Sequence, residues 1–195
     1  MLTLLIDTSN AYLSCCLAKD HVYIDGVHYQ AWQRQSEKLV EEIGNLLKRN
    51  NVQSKDLTGV IVTRGPGSYT GVRIGLTVGK VTANALGIPL YTASSLEALK
   101  VFGEKSLCVS NARNKRSYVG LYSNELALIE DEIWTNEEVL EYLEHHHDVV
   151  IRGDIEYLGF EDKEPNPLLI LKDLDDEDHL CEEPLGAKPV YLKDN

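Results

Sequence analysis

Arg64-Gly65-Pro66-Gly67-Ser68-Tyr69-Thr70-Gly71 is the densest run of chemically suggestive residues in this sequence. It follows a short apolar run, Val60–Val62, and opens a stretch of helical periodicity. Free N–H groups at a helix N-terminus can hold a phosphate or another anion there. The Gly-Lys-Ser/Thr ending of a P-loop is missing, however. Gly65, Gly67, Gly71 and Gly75 are also spaced unlike Gly-x-Gly-x-x-Gly. The simpler reading is a tight turn that needs glycine backbone angles, with Pro66 fixing one dihedral.

Metal and hydrolytic chemistry finds little footing. His145, His146 and His147 diverge by about 100° each on a helix and cannot share one ion; they read as an exposed helix end. Asp173–Asp178 hints at a calcium loop but lacks glycine at the sixth place. His21 and His28 flank a strand pattern with no nucleophile in view. Cys15, Cys16, Cys108 and Cys181 have no metal-type spacing and read as reduced thiols. No metal and no cofactor is expected.

The elements that would position these residues alternate in type. Leu2–Ile6, Tyr12–Ala18 and Val22–Tyr29 predict three strands in an antiparallel meander. Leu39, Val40, Ile43, Leu46 and Leu47 recur at helical period, so a helix is expected over Ser36–Arg49 with Ser36 capping it. Val60–Val62 predicts a strand, and a helix follows over Val72–Leu86 with Gly87 at its C-cap. A strand begins at Pro89, and Ser94 with Glu97 forms a capping box for a further helix. In the second half, strands are expected at Leu107–Val109, Ser117–Tyr122, Ala127–Ile133, Val149–Ile151 and Leu168–Leu171. Thr135 and Glu138 would cap a helix near Val139–Leu143, and residues 173–183 read as a solvated acidic loop. The order β-β-β-α-β therefore occurs twice.

Charge divides the chain in the same place. The first 100 residues carry 10 Lys+Arg against 8 Asp+Glu, and the remainder 9 against 23. So acidic a half repels phosphate backbones, which argues against tight binding of nucleic acid by this chain alone. Two lobes are expected, over residues 1–102 and 103–195, with the last residues returning toward the first. No apolar run is long enough to span a bilayer, and Met1–Ile6 lacks the basic flank of a signal peptide. A cytoplasmic protein without membrane contact is expected.

The helix over Val72–Leu86 is unusual. At 100° per residue, Val72, Leu76, Gly79, Ala83 and Leu86 share one side. Ile74, Val78, Val81 and Ala85 share nearly the opposite side, and Arg73, Thr77, Lys80 and Asn84 make a narrow polar stripe. A surface helix needs one apolar face, so the second face calls for another cover. Gly71, Gly75, Gly79 and Ala83 also form a row of small residues every four positions. Glycine inside a helix costs about 0.5–1 kcal/mol relative to alanine, and close approach of another backbone is the usual compensation. A helix-to-helix partner interface is expected, with internal packing as the alternative.

Ile6-Asp7-Thr8-Ser9, the run Arg64–Gly75, Ser94–Leu99, Asn111-Ala112-Arg113 and Pro189–Lys193 closely resemble the bacterial TsaB (YeaZ) family. The likeness is dense over about the first 120 residues. It departs at Gln35, where many relatives have His, and at Asn111, where the family has Asp. The resemblance implies an actin-like ATPase fold of two ribonuclease-H-like lobes, the second reduced. It further implies a non-catalytic partner of a TsaD-type transferase that forms N6-threonylcarbamoyladenosine beside the tRNA anticodon, joined by a TsaE-type small ATPase, with tRNA reached only through the complex. The paired helices of the first lobe would be the partner surface. Val72, Gly75, Leu76, Gly79, Lys80, Ala83 and Leu86 are expected there, with Glu37, Val40 and Glu41 of the first helix, and the same helices could pair two copies of the chain. Asp7 falls at a vestigial nucleotide-type position, or simply caps the turn after its strand. The alternative is an enzyme of the same superfamily, a degenerate ATPase or a glycoprotease-type metallohydrolase. Against it, there is no second acidic phosphate motif and no His-x-x-x-His.

Overall fold

The structure, a computed structural model, describes residues 1–31, 34–124, 126–161 and 166–192. In chain order its strands and helices are β1 Leu2–Asp7, β2 Tyr12–Lys19, β3 Val22–Gln30, α1 Gln35–Arg49, β4 Gly59–Thr63, α2 Tyr69–Leu86 and β5 Leu90–Ala93. Then follow β6 Lys105–Arg113, β7 Arg116–Ser123, β8 Leu126–Thr135, α3 Asn136–His145, β9 Val149–Gly153, α4 Leu168–Leu171 and β10 Leu180–Cys181. They form two units. The first holds Met1–Ser95 and Asn166–Val190, and the second Leu96–Pro165 and Tyr191–Asn195. A single cut at 102/103 does not reproduce this grouping, because the acidic stretch 166–190 packs with the first unit despite its composition.

In the first unit β1 lies inside a six-stranded sheet ordered β10-β5-β4-β1-β2-β3. It pairs antiparallel with β2 and parallel with β4, with Leu4 opposite Leu17 on one side and Val60 on the other. Alternation divides its side chains. Leu4 and Ile6 join Leu13, Cys15 and Leu17 in the cluster that receives Leu39 and Leu46 of α1 and Leu76 and Ala83 of α2. Leu5 and its cross-strand neighbour Cys16 point to the opposite face, equally buried. There α4 touches β1 and β2.

The second unit repeats the pattern with four strands ordered β8-β7-β6-β9, β9 running parallel to β6. Its core gathers Leu107, Val109, Val119, Leu121 and Val139, the last from α3. The capping box of Thr135 and Glu138 forms as expected.

Several expectations need correction. Ser36 lies inside α1, whose cap position is Arg34 without a side-chain bond. Ser94 and Glu97 cap no helix. The chain makes one 3-10 turn at Glu97–Leu99, and the Glu97 carboxylate instead accepts from buried Lys100 (2.8 Å). Leu168–Leu171 is helical, entered from Pro167, because a four-residue apolar run is too short to show a period of its own. The stretch 173–183 is no free loop: Leu174 is buried, and Leu180 and Cys181 pair antiparallel with β5. No helix among the described residues is long and apolar enough to cross a membrane.

Candidate docking helices and the loop beside them

The glycine loop is stitched to the turn after β1. Ser68 N–H donates to the Ser9 carbonyl (2.7 Å), and the Thr8 hydroxyl to the Gly71 carbonyl (2.7 Å). A Cβ at Gly67 would run into the Ser9 carbonyl, and one at Gly71 into that of Thr8, so both positions require glycine by contact alone. Gly65 adopts φ +99°, and its N–H donates to Ser95 Oγ (3.1 Å). On the loop's other edge Val190 N–H donates to the Arg64 carbonyl (2.7 Å). Pro66 is cis and buried. Ser68 caps α2, its Oγ accepting from Gly71 N–H (3.2 Å), and α2 starts at Tyr69, three residues earlier than its periodicity suggests. The Gly65, Ser68 and Gly71 N–H groups thus bond within the protein, which makes the loop a close-packed joint. Tyr69 and Thr70 remain exposed, and Arg73 stacks over the Tyr69 ring at 3.9 Å.

Asp7 sits beneath this joint, 1% exposed. Its Oδ1 accepts from Thr63 Oγ1 (2.5 Å) and from Ser9 N–H (3.1 Å), which is the turn-capping role. Its Oδ2 is buried without a partner among the described residues.

The two faces of α2 have distinct fates. Val72, Leu76 and Ala83 are at most 2% exposed, and Gly75 and Gly79 are buried with them. A Cβ at Gly75 would lie 2.6 Å from Thr8 Oγ1, and one at Gly79 3.1 Å from Val62 Cγ1. The small row therefore brings α2 down onto its own β1 and β4. Gly75, Gly79 and Ala83, expected at a partner contact, are core positions here, as are Val72 and Leu76. Leu86 packs half-buried on the same cluster. Lys80, also half-buried, reaches the Leu185 and Ala187 carbonyls (both 3.4 Å).

The opposite face is open only in part, since Ile74 and Val78 also pack against that core. Ile74 and Val78 are half-buried, Val81 is 53% exposed and Ala85 is exposed. The adjacent α1 adds Val40, 64% exposed, between Glu37 and Glu41, which pair with Arg34 (3.1 Å) and Lys38 (2.8 Å). The Lys38 ammonium holds the Glu41 carboxyl below its ordinary range. One turn beyond Val40 lies Gly44, exposed, with nothing within 4 Å of where a Cβ would stand. Sequence reasoning passed over Gly44, although an isolated glycine inside an amphipathic helix was the available signal. The result is an apolar strip flanked by acidic residues on α1 and by Arg73 on α2.

The remaining candidates do not converge. His145, His146 and His147 are exposed, and among the described residues no group of three or more His, Cys, Asp or Glu is placed to hold a metal. His21 contacts Asp175 (3.5 Å), whereas His28 meets Ser14 Oγ (2.8 Å) and stacks on Tyr12. Burial pushes the Cys15 thiol up to about 12 and raises those of Cys16 and Cys108. Arg113 and Lys115 are exposed in a turn of three left-handed residues, with Asn111 Oδ1 accepting from Arg113 N–H (2.8 Å). Lys193, the end of one quoted motif, lies outside the described residues.

Sheet order 3-2-1-4-5 with helices following the third and fourth strands defines the first unit as ribonuclease-H-like, and β6–β9 repeat its first four strands. This is the two-lobed class of the actin-like ATPases. The family model described as tRNA N6-adenosine threonylcarbamoyltransferase (TsaD) matches residues 18–143. The Bacillus subtilis tRNA threonylcarbamoyladenosine biosynthesis protein TsaB is 35% identical over 134 residues, 67% of this chain and 58% of that protein's length. An uncharacterized Mycoplasma genitalium protein, MG208, is 25% identical over 90% of this chain and 86% of its own. Among solved structures, YeaZ from Pseudomonas aeruginosa superposes with a TM-score of 0.81 at 21% identity, covering 98% of this chain and 99% of that one. The chain belongs to the threonylcarbamoyltransferase family, in its TsaB (YeaZ) branch.

Proposed function

We propose that this chain is the non-catalytic partner of a TsaD-type transferase in forming N6-threonylcarbamoyladenosine in tRNA. The observation that carries this reading is the open apolar strip of Ile74, Val78, Val81 and Ala85 on α2 beside Val40 and Gly44 on α1. An apolar strip shared by two neighbouring helices suits a bundle with an equivalent helix pair, from a related transferase or a second copy of the chain. The names of its TsaB relatives supply the pathway. A TsaE-type small ATPase would join the assembly, tRNA would be reached through the complex, and the chain would work in the cytoplasm.

The site of Asp7 supports a non-enzymatic role. Its carboxylate is buried under the glycine loop, with Oδ1 committed to Thr63 and Ser9. The net charge of −12 opposes independent tRNA binding. Reconstitution tests the reading. Threonine, bicarbonate, ATP and tRNA with the adenylate-forming enzyme, the transferase and the TsaE-type ATPase should yield modified nucleoside only when this chain is added. The chain alone should neither hydrolyse ATP above background nor modify tRNA. ATP hydrolysis by the isolated chain, lost in Asp7→Asn, would establish the superfamily-enzyme alternative instead.

A further inference from the structure

A cavity of about 350 Å³ opens between β8 and α3 of the second unit, lined by Trp134, Glu138, Glu141, Tyr142, His145 and His146. Its walls are aromatic. The Trp134 and Tyr142 rings lie 5.2 Å apart at 57°, and Tyr142 stacks on His146 at 3.9 Å within 12°. The indole N–H donates to Glu132 (2.7 Å), which fixes the ring. Nδ1 of His145 and Nδ1 of His146 stand 2.8 Å from the carbonyls of Glu141 and Tyr142. A carbonyl only accepts, so both Nδ1 atoms carry a proton. Glu138 spends its carboxylate on the N–H and hydroxyl of Thr135 (2.7 and 2.9 Å). Glu141, by contrast, makes no side-chain hydrogen bond or ion pair among the described residues.

Aromatic faces beside an uncommitted carboxylate favour a cation. The helix that forms one wall reinforces that choice: α3 carries four glutamates, Glu137, Glu138, Glu141 and Glu144, and no Lys or Arg. We propose that this cavity binds the guanidinium of an arginine side chain carried on a basic polypeptide segment of a partner protein. A planar guanidinium stacks on Trp134 while Glu141 takes its N–H groups. The outlying carboxylates attract the neighbouring basic residues of the same segment. A free small cation would use the cavity but not that surrounding charge, which decides for the polypeptide. The site involves neither α1 nor α2, so its test is independent of the role proposed above.

The test is calorimetric titration of the full chain, at physiological ionic strength, with a blocked Gly-Arg-Gly-Arg-Gly peptide, its glutamine and lysine counterparts, and arginine amide. The arginine peptide should bind one-to-one and shift the Trp134 indole signal in NMR. Lysine should bind more weakly because it stacks less. Trp134→Leu should weaken binding about two- to thirtyfold, the range of one desolvated cation–π contact. Trp134 also packs on the core, so Glu141→Gln, an exposed change, keeps the test decisive if that variant fails to fold; it should cost about fivefold or more, as loss of a charged hydrogen bond does. Equal affinity for the glutamine peptide would overturn the proposal. Arginine amide binding as tightly as the peptide would overturn the polypeptide occupant. Unchanged affinity in Glu141→Gln would mean a diffuse acidic field with no site.

Discussion

Placing Gly75 and Val81 on opposite faces of α2 makes a paired substitution informative. Gly75→Leu drives a side chain toward β1, where its first carbon would already stand 2.6 Å from Thr8 Oγ1. Overpacking at such a site costs about 1–3 kcal/mol, the upper end applying where a central strand cannot yield. Displacing the Thr8 hydroxyl from the Gly71 carbonyl removes a hydrogen bond worth about 1 kcal/mol. Leaving glycine in a helix returns just under 1 kcal/mol. The net is about 3 kcal/mol, a fall in melting temperature of about 6–12 °C for a chain of this size. Val81→Glu, at a position 53% exposed, should move melting by less than about 2 °C. Combined with Val40→Glu, it should weaken self-association and transferase binding at least about tenfold, since both carboxylates would be desolvated in the strip. Differential scanning calorimetry beside analytical ultracentrifugation and a transferase pull-down reads both. The reasoning fails if Gly75→Leu melts like the parent while losing its partner, or if Val40→Glu/Val81→Glu binds unchanged.

Gly44→Ala should raise the melting temperature, gaining about 0.5–1 kcal/mol of helix propensity, and leave association nearly intact; Gly44→Leu should also fold but associate more weakly, as sedimentation would show. Asp7→Ala should leave the Thr63 hydroxyl and the Ser9 N–H buried without an acceptor, costing about 1–3 kcal/mol in denaturant unfolding and changing no catalytic rate. The hydrogen bond from Arg49 is the main force holding the Asp25 carboxyl down to about 2, so its contribution is present above pH 4 and lost as pH falls through 2. Asp25→Asn should therefore be less stable than the parent at pH 7, by under about 1 kcal/mol given the pair's exposure, with the difference gone near pH 2. Isolated chain should bind tRNA more weakly than micromolar at physiological salt in a filter-binding assay, and Arg113→Glu with Lys115→Glu should matter only in the assembled complex.

The sequence makes the meander legible because β1–β3 are separated by turns too short for anything else. It also makes both faces of α2 legible. It does not say which face meets the sheet, because small residues serve any close neighbour, internal or external, equally well. The contact that settles the matter, Gly75 against Thr8 and Gly79 against Val62, joins segments more than 15 residues apart. The Ser94/Glu97 pattern failed for a different reason: its spacing is that of a capping box, but the chain leaves the helical path after one turn to enter β6. Acidity concealed Leu174 and the Leu180–Cys181 strand, whose role depends on a distant edge in need of a partner. At Gly44 the clue was present in one residue, and only its exposure gives it meaning.

The grouping of residues 166–190 with the first unit sets a schedule on synthesis. When Ser95 leaves the ribosome, β1–β5, α1 and α2 are complete, yet the α4 cover over β1 and β2 and the strand that pairs with β5 do not exist. The intervening 96–165 must be translated first, which at about 5–20 residues per second occupies roughly 4–14 seconds. Through that interval the nascent sheet carries Leu5 and Cys16 on a face that α4 has not reached, and an unpaired β5 edge. Those features suit transient shielding by a chaperone.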